Sequence, residues 1–322
     1  MSDPSFMNLS QLAFNLKKSL GIVQKRDLQV INQILGLQVN QSIPVGDDCA
    51  AIPDGDGYLL FAAEGMWPAL LQKDPWFAGW CAVMVNLSDI AAMGGRAIAI
   101  VDTIWAENTT QALPILKGMQ AAAQTYNVPI VGGHSNLHSA YSALGVSILG
   151  RAKNIISSFT AQPGDLLLIA IDLAGKMHPN FPFWNAATES PPNLLQEKLT
   201  ILPYLSEHDL CNAGKDISMG GIIGTVLMLL ETSKCGAILN LDNIVFPDGV
   251  SLETWLLCFP SYGFLLSVSP NHFDSVKDTF SKSNIFCNVI GEVTADSRLI
   301  LQSNQKSYAF WDFEIDNFIL DK

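Results

Sequence analysis

The chain has 322 residues, 49% of them hydrophobic and only 15% charged, and 30 acidic against 18 basic residues leave a net charge of −12. That length suits two domains with sizeable cores, and the low charge expects much of the chain to be buried, a subunit interface included. The acidic balance excludes a general nucleic-acid or anionic-membrane surface, which needs clustered Lys and Arg.

In chain order, residues 8–35 carry an amphipathic Leu/Ile pattern that predicts helix around Gly21, followed by a loop at Ser42-Ile43-Pro44. Tyr58–Ala63 is a short apolar run bounded by Asp-Gly pairs and predicts a strand. Residues 76–93 predict a long apolar helix stopped by Gly94-Gly95. A strand is expected over Ala97–Trp105, a helix over Thr110–Tyr126, a strand over Val128–Val131 ending in Gly132-Gly133, and another over Leu144–Leu149. Gln162-Pro163-Gly164-Asp165 is a turn signal that closes a connector beginning at Arg151, and Leu166–Ile171 opens a new unit. Residues 172–193 hold four prolines with Phe181, Phe183 and Trp184 between them, which reads either as a substrate-shaping lid or as Pro-rich packing on a core. Helices are expected at 194–206 and 220–232, strands at Tyr262–Ser269 and Ile285–Ile290, and a helix starting at Ser269-Pro270. This mixture expects two α/β (α+β) domains, residues 1–155 and 156–322.

Three acid-bearing segments stand in apolar or small-residue surroundings. Asp89 lies inside the helix-forming run, with Asn86 three residues earlier on the same helical face. A buried carboxylate needs a cation or donors, so the pair either coordinates a metal or bonds to backbone. Gly46-Asp47-Asp48 reads as a turn or as a divalent-cation site. Asp216-Ile217-Ser218-Met219-Gly220-Gly221 precedes a helix, where glycines admit an anion to backbone N–H groups, or where Ser218 or Asp216 is a plain N-cap. Gly132-Gly133 at a strand end also suits phosphate approach. Only four arginines are present, Arg26, Arg96, Arg151 and Arg298, so phosphate handling would lean on metal ions. The six cysteines are scattered singly and read as buried thiols, and the five histidines form no zinc pattern. No basic segment followed by an apolar core opens the chain, and the 76–93 helix is too polar to span a bilayer, so a cytoplasmic protein without membrane or nucleic-acid partners is expected.

Taken in order, Val45-Gly46-Asp47-Asp48-Cys49-Ala50, Asn86-Leu87-Ser88-Asp89-Ile90-Ala91-Ala92-Met93-Gly94, Gly132-Gly133, Pro163-Gly164-Asp165 and Asp216-Ile217-Ser218 with Gly220-Gly221 resemble the superfamily of aminoimidazole ribonucleotide (AIR) synthetase, thiamine-monophosphate kinase, selenophosphate synthetase and the hydrogenase-maturation carbamoyl dehydratase. The AIR synthase-related subgroup fits better than any named enzyme, and Ser261-Tyr262-Gly263-Phe264 agrees with it. The resemblance implies a two-domain PurM-like fold, a homodimer joined through the N-terminal sheets, and ATP bound near the domain junction by Mg2+-linked acids. It implies Asp47, Asp48, Asp89 and Asp216 as metal ligands with Glu64 a weaker one, and Asn86, Gly132, Gly133, Ser218, Gly220 and Gly221 on the nucleotide. Lys176, His178 and Trp184 are the substrate-side candidates. The chain departs from the family's pattern at Glu64, His134 and Met219, which argues against thiamine-monophosphate kinase activity and lowers the expected number of magnesium ions. The expected function is ATP- and Mg2+-dependent activation of a small amide, carbonyl or phosphate-bearing metabolite. The alternatives are a non-catalytic nucleotide-binding subunit and a metal-independent structural dimer.

Overall fold

The computed structural model describes residues 8–37 and 43–320, so Ser42 of the expected loop lies outside the described residues. Helices α1 (Leu9–Lys18), α2 (Leu20–Lys25) and α3 (Asp27–Leu35) come first, then β1 (Ala50–Asp54), β2 (Gly57–Gly65), α4 (Pro68–Lys73), α5 (Pro75–Ala92), β3 (Arg96–Trp105), α6 (Thr109–Tyr126), β4 (Ile130–Asn136) and β5 (Ala143–Ala152). The second half runs through β6 (Leu166–Ile171), β7 (Lys176–Met177), β8 (Phe183–Asn185), α7 (Pro192–Lys198), α8 (Ile201–Glu207), β9 (Ala213–Asp216) and α9 (Gly221–Ser233). It ends with β10 (Gly236–Asn240), α10 (Leu252–Leu256), β11 (Phe259–Pro260), β12 (Gly263–Val268), α11 (Phe273–Lys282), β13 (Phe286–Thr294), β14 (Arg298–Ser303) and β15 (Lys306–Asp312).

The chain divides into two compact units. An N-terminal unit comprises residues 48–155 and 187–208, and a C-terminal unit comprises the described residues up to Asp47 with 156–186 and 209–320. The division expected at residue 155 is therefore crossed twice. The leading helices join the C-terminal unit because Leu9, Leu12, Ala13 and Leu16, one apolar stripe of α1, are buried in its core.

The N-terminal unit is a five-stranded sheet in the order β1-β2-β5-β3-β4, antiparallel except for the parallel pair β3–β4. Alternation gives it two different faces. Leu60, Ala62, Ile100, Ile104, Leu144, Val146 and Ile148 are buried, and α5 packs on strands β2, β3 and β5. Phe61 and Val101, one residue out of phase, are exposed. Helix α5 is buried from Phe77 to Ala92, as its apolar composition requires, and Gly94 ends it with φ +74°. It crosses α6 at close range, since a Cβ on Gly79 would strike the Ile115 carbonyl and one on Gly118 the Trp76 carbonyl.

Two sequence expectations change here. The strand expected to stop before Gly132-Gly133 runs through both glycines and His134 to Asn136, because β3 offers a parallel ladder whose partners include Asp102↔Gly133 and Thr103↔His134. The single helix expected over 194–206 is α7 and α8, interrupted around Thr200, with Pro203 in the first turn of α8, where a missing N–H is tolerated.

The C-terminal unit is built on a seven-stranded sheet in the order β15-β14-β10-β13-β6-β12-β9, covered by α9, which is buried from Gly221 to Thr232. Leu167, Ile169, Ile171 and Leu265 of the sheet share one core with Ile223, Val226, Leu227 and Leu230 of α9. Part of the Pro-rich segment forms a small third sheet, β11-β8-β7. Trp184 is buried there, donating from Nε1 to the Asp172 carbonyl (3.0 Å) and meeting Trp255 edge to face. Of the two readings of this segment, the described geometry around Trp184 is core packing.

Candidate functional site

In the N-terminal unit, the acid of greatest interest stays on α5. Asp89 is 6% exposed and Asn86 fully buried. The Asn86 amide donates from Nδ2 to the Ala82 carbonyl (2.8 Å), and Ser88 Oγ donates to the Met84 carbonyl (3.2 Å). Asn86 Oδ1 has no hydrogen-bond partner among the described residues. Leaving such an oxygen unmet costs about 1–3 kcal/mol, a penalty that a bound cation or donor would remove. A carboxylate and an amide oxygen three residues apart on one helix are the donor types of a hard, oxygen-seeking cation.

Glu64 lies near the end of β2, exposed, opposite Val146 of β5. Val146 also faces Asp102 of β3, so Glu64 and Asp102 share a sheet face on either side of one strand. Asp102 was not among the sequence candidates. Its signal was a carboxylate inside the apolar run Ile100-Val101-Asp102-Thr103-Ile104. Burial raises its carboxyl above the ordinary Asp range. A Cβ on Gly133 would lie 2.6 Å from Asp102 Oδ1, so glycine there makes room for that carboxylate. Gly132 faces open space, and Gly132, Gly133 and His134 are all exposed.

In the C-terminal unit, Asp47 is engaged by the protein. Its Oδ2 accepts from Ser157 Oγ (2.7 Å) and its Oδ1 from the Ser158 amide (2.5 Å). Burial pushes its carboxyl up, while Ser158, the Lys215 charge and Ser157 pull it down. Asp216 ends β9 at 4% exposure, and Thr225 Oγ1 donates to its carbonyl (3.3 Å). The glycines after it serve packing. Gly220 (φ +105°) caps α9, and a Cβ on Gly21 of α2 would come within 2.6 Å of the Gly220 nitrogen. Gly221 (φ +63°) lies against the Leu256–Leu257 backbone. Both glycines therefore lie where neighbouring backbone leaves little room for a side chain. Ser218 is half-buried, and its carbonyl accepts from the Gly221 amide (2.9 Å). Asp48, the first residue of the N-terminal unit, is half-buried.

Among the described residues, no three His, Cys, Asp or Glu side chains converge to hold a metal ion. All four arginines are spent on surface ion pairs: Arg26 with Asp316, Arg96 with Glu207, Arg151 with Asp54 and Asp56, and Arg298 with Asp296. The six cysteines are buried and form no disulfide. Burial pushes Cys211, Cys235, Cys258 and Cys287 to about 12 and Cys81 higher, so these thiols make poor nucleophiles near neutral pH. Of the substrate-side candidates, Trp184 is core and Lys176 is exposed. His178 is buried, accepting from the Asn180 amide at Nδ1 (3.2 Å) and stacked on Phe181. No helix among the described residues is long and apolar enough to cross a membrane.

Comparison with known proteins places this arrangement. The AIR synthase related protein, N-terminal domain, matches residues 46–152, and the corresponding C-terminal domain matches residues 171–304. An uncharacterised protein of Synechocystis sp. is 53% identical over 312 residues, covering 95% of this chain and 96% of that protein. Among solved structures, T. maritima PurL complexed with ATP superposes with a TM-score of 0.74 at 17% identity, covering 98% of this chain and 53% of PurL, so this chain spans about half the length of that relative. A ThiL complexed with AMPPCP and TMP gives a TM-score of 0.67 at 16% identity, covering 95% of this chain and 99% of ThiL. With both domain models matched in order and a relative identical at over half of the aligned positions, the chain belongs to the AIR synthase-related family, with its mixed α/β, two-domain PurM-like fold.

Proposed function

We propose that this protein binds Mg2+-ATP and uses the γ-phosphate to activate a small amide, carbonyl or phosphate-bearing metabolite. The observation that carries the reading is the Asn86–Asp89 pair, a carboxylate and an unmet amide oxygen buried in an apolar helix. Solved relatives complexed with ATP and with AMPPCP support a nucleotide as the ligand. The family's general ATP dependence agrees. In the N-terminal unit, Asp48, Glu64 and Asp89 would hold magnesium, with Asn86 beside them, and Asp216 is the candidate in the C-terminal unit. Magnesium, when bound, supplies charge stabilisation to transferring phosphate oxygens. That role suits a chain whose arginines are all paired at the surface. Gly132, where an added Cβ would meet nothing, offers open backbone to a phosphate, with Gly133, Ser218, Gly220 and Gly221 the other candidates for the nucleotide.

Thermal unfolding with and without Mg2+-ATP tests the reading. At a nucleotide concentration about a hundredfold above Kd, binding is worth about 2.7 kcal/mol of stability. Wild type is expected to show that rise in Tm and Asp89→Asn to lose it. Equal shifts in the two proteins would remove Asp89 from the site. The non-catalytic reading, favoured by the dispersed acids, predicts the same Tm rise with no phosphate release in the presence of any candidate metabolite.

We propose in addition that the protein is a homodimer joined across the open face of the five-stranded sheet, where Ile52, Phe61 and Val101 are exposed. Apolar side chains gathered on one sheet face are the surface that a second copy would cover.

A further inference from the structure

Lys215 is one of two buried lysines among the described residues, and the one in the C-terminal unit. It pairs with Leu265 across the β9–β12 ladder, and Leu265, Ile169 and Ile217 on that face all belong to the apolar core. Asp216, the next residue, pairs with Phe264 and projects from the opposite face. An ammonium among apolar side chains is strongly unfavourable unless carbonyls or carboxylates meet it. The acidic loop supplies both. Lys215 Nζ donates to the Gly46 carbonyl at 3.0 Å, and its charge acts on the half-buried Asp47.

The other side of Asp47 is closed as well. Ser157 and Ser158 hold its two oxygens, and the Ser158 carbonyl is gripped by Thr232 Oγ1 and Ser233 Oγ, each at 2.6 Å. Asp47 thus has a protein donor on each oxygen and a cation at hand. A magnesium ion placed on it would displace the serines or meet the ammonium as a like charge.

We propose that Lys215 is a positioning residue, the resident cation that takes at Asp47 the place of a magnesium ion and pins Gly46–Asp47, leaving metal binding to Asp48 and the other acids. The statement about Asp48 rests on the Mg2+-nucleotide reading above, whereas the coupling of Lys215 to Asp47 does not.

The test is thermal unfolding of the full chain and its Lys215→Met, Lys215→Arg, Asp47→Asn, Asp48→Asn and Asp47→Asn/Lys215→Met variants. Each is measured with EDTA, with MgCl2 alone and with Mg2+-ATP. In EDTA, Lys215→Met is expected to lower Tm by about 10 °C by leaving Asp47 without its cation. Lys215→Arg should recover much of the loss, and the double variant should be no less stable than Lys215→Met. MgCl2 alone should raise the Tm of Lys215→Met by taking the vacated place, and should leave wild type and the double variant unmoved. Asp47→Asn should keep the wild-type response to Mg2+-ATP, and Asp48→Asn should lose it. Additive losses in EDTA, or a Lys215→Met protein indifferent to MgCl2, would overturn the Lys215 assignment. Loss of the Mg2+-ATP response in Asp47→Asn would return Asp47 to the ligands. Should Lys215→Met fail to fold, folding of the double variant alone is the supporting result, and failure of both overturns the coupling. A wild type unmoved by Mg2+-ATP overturns the nucleotide reading, while the EDTA and MgCl2 arms still decide Lys215.

Discussion

At the scale of residues, buried carboxylates do different work according to what meets them. Glu231 on α9 accepts three successive backbone N–H groups near the end of the chain, from Phe318 (2.6 Å), Ile319 (2.7 Å) and Leu320 (3.2 Å). It anchors that segment to the C-terminal core, and Asn32 of α3 adds a bond to the Ile319 carbonyl (3.3 Å). Removing it as Glu231→Ala is expected to cost about 3 kcal/mol, read as a lower denaturant midpoint, because two buried amides and one half-buried amide lose a charged acceptor. Burial raises the Glu231 carboxyl above its ordinary value, although the three amides pull it down. The folded protein then holds this proton more tightly than the unfolded chain. That contribution is fully present below the ordinary Glu value of about 4.3 and is lost as pH rises through the raised one. The stability gap between wild type and Glu231→Gln should therefore narrow as pH climbs from about 4 towards neutrality. Denaturant titrations across that range check the sign, and a widening gap would refute it.

At the scale of elements, the N-terminal unit depends on how closely α5 approaches α6. Two glycines make the approach possible, Gly79 against the Ile115 carbonyl and Gly118 against the Trp76 carbonyl. Backbone cannot rotate aside as a side chain can, so Gly118→Val must separate the helices. The expected cost is about 3 kcal/mol, at the upper end for overpacking, and it should appear as a lower Tm. Because α5 carries Asn86 and Asp89, the same variant is also expected to weaken the Tm response to Mg2+-ATP. A variant as stable as wild type would show that the crossing is looser than described.

At the scale of the whole molecule, the open sheet face is the feature most in need of a partner. Phe61 is 50% exposed in the middle of β2, with Leu149 opposite it on the neighbouring strand. If a second copy covers this face, Phe61→Asp buries a charge in an apolar interface and should convert a dimer into a monomer, as read by light scattering coupled to gel filtration. An unchanged mass would place any dimer contact elsewhere. A monomeric wild type would dismiss the dimer itself.

Local pattern alone carries the family-bearing motifs, their order, and the length and stop of the helix that holds Asp89. Each of these depends on short-range physics: apolar content over eighteen residues, a glycine free to take positive φ, and spacing along one helix. Tertiary structure decided what meets Asp47. Asp47 and Asp216 read alike in the chain, yet Asp47 is met by serines more than a hundred residues away and by the ammonium of Lys215, whose own apolar face is set by the β9–β12 register. The close approach of Gly21 on a distant helix to Gly220, and the pairing that sets Asp102 beside Gly133, are likewise absent from local pattern. Such outcomes depend on contacts between segments far apart in the chain, which local pattern cannot encode because burial and charge pairing are settled only when those segments meet.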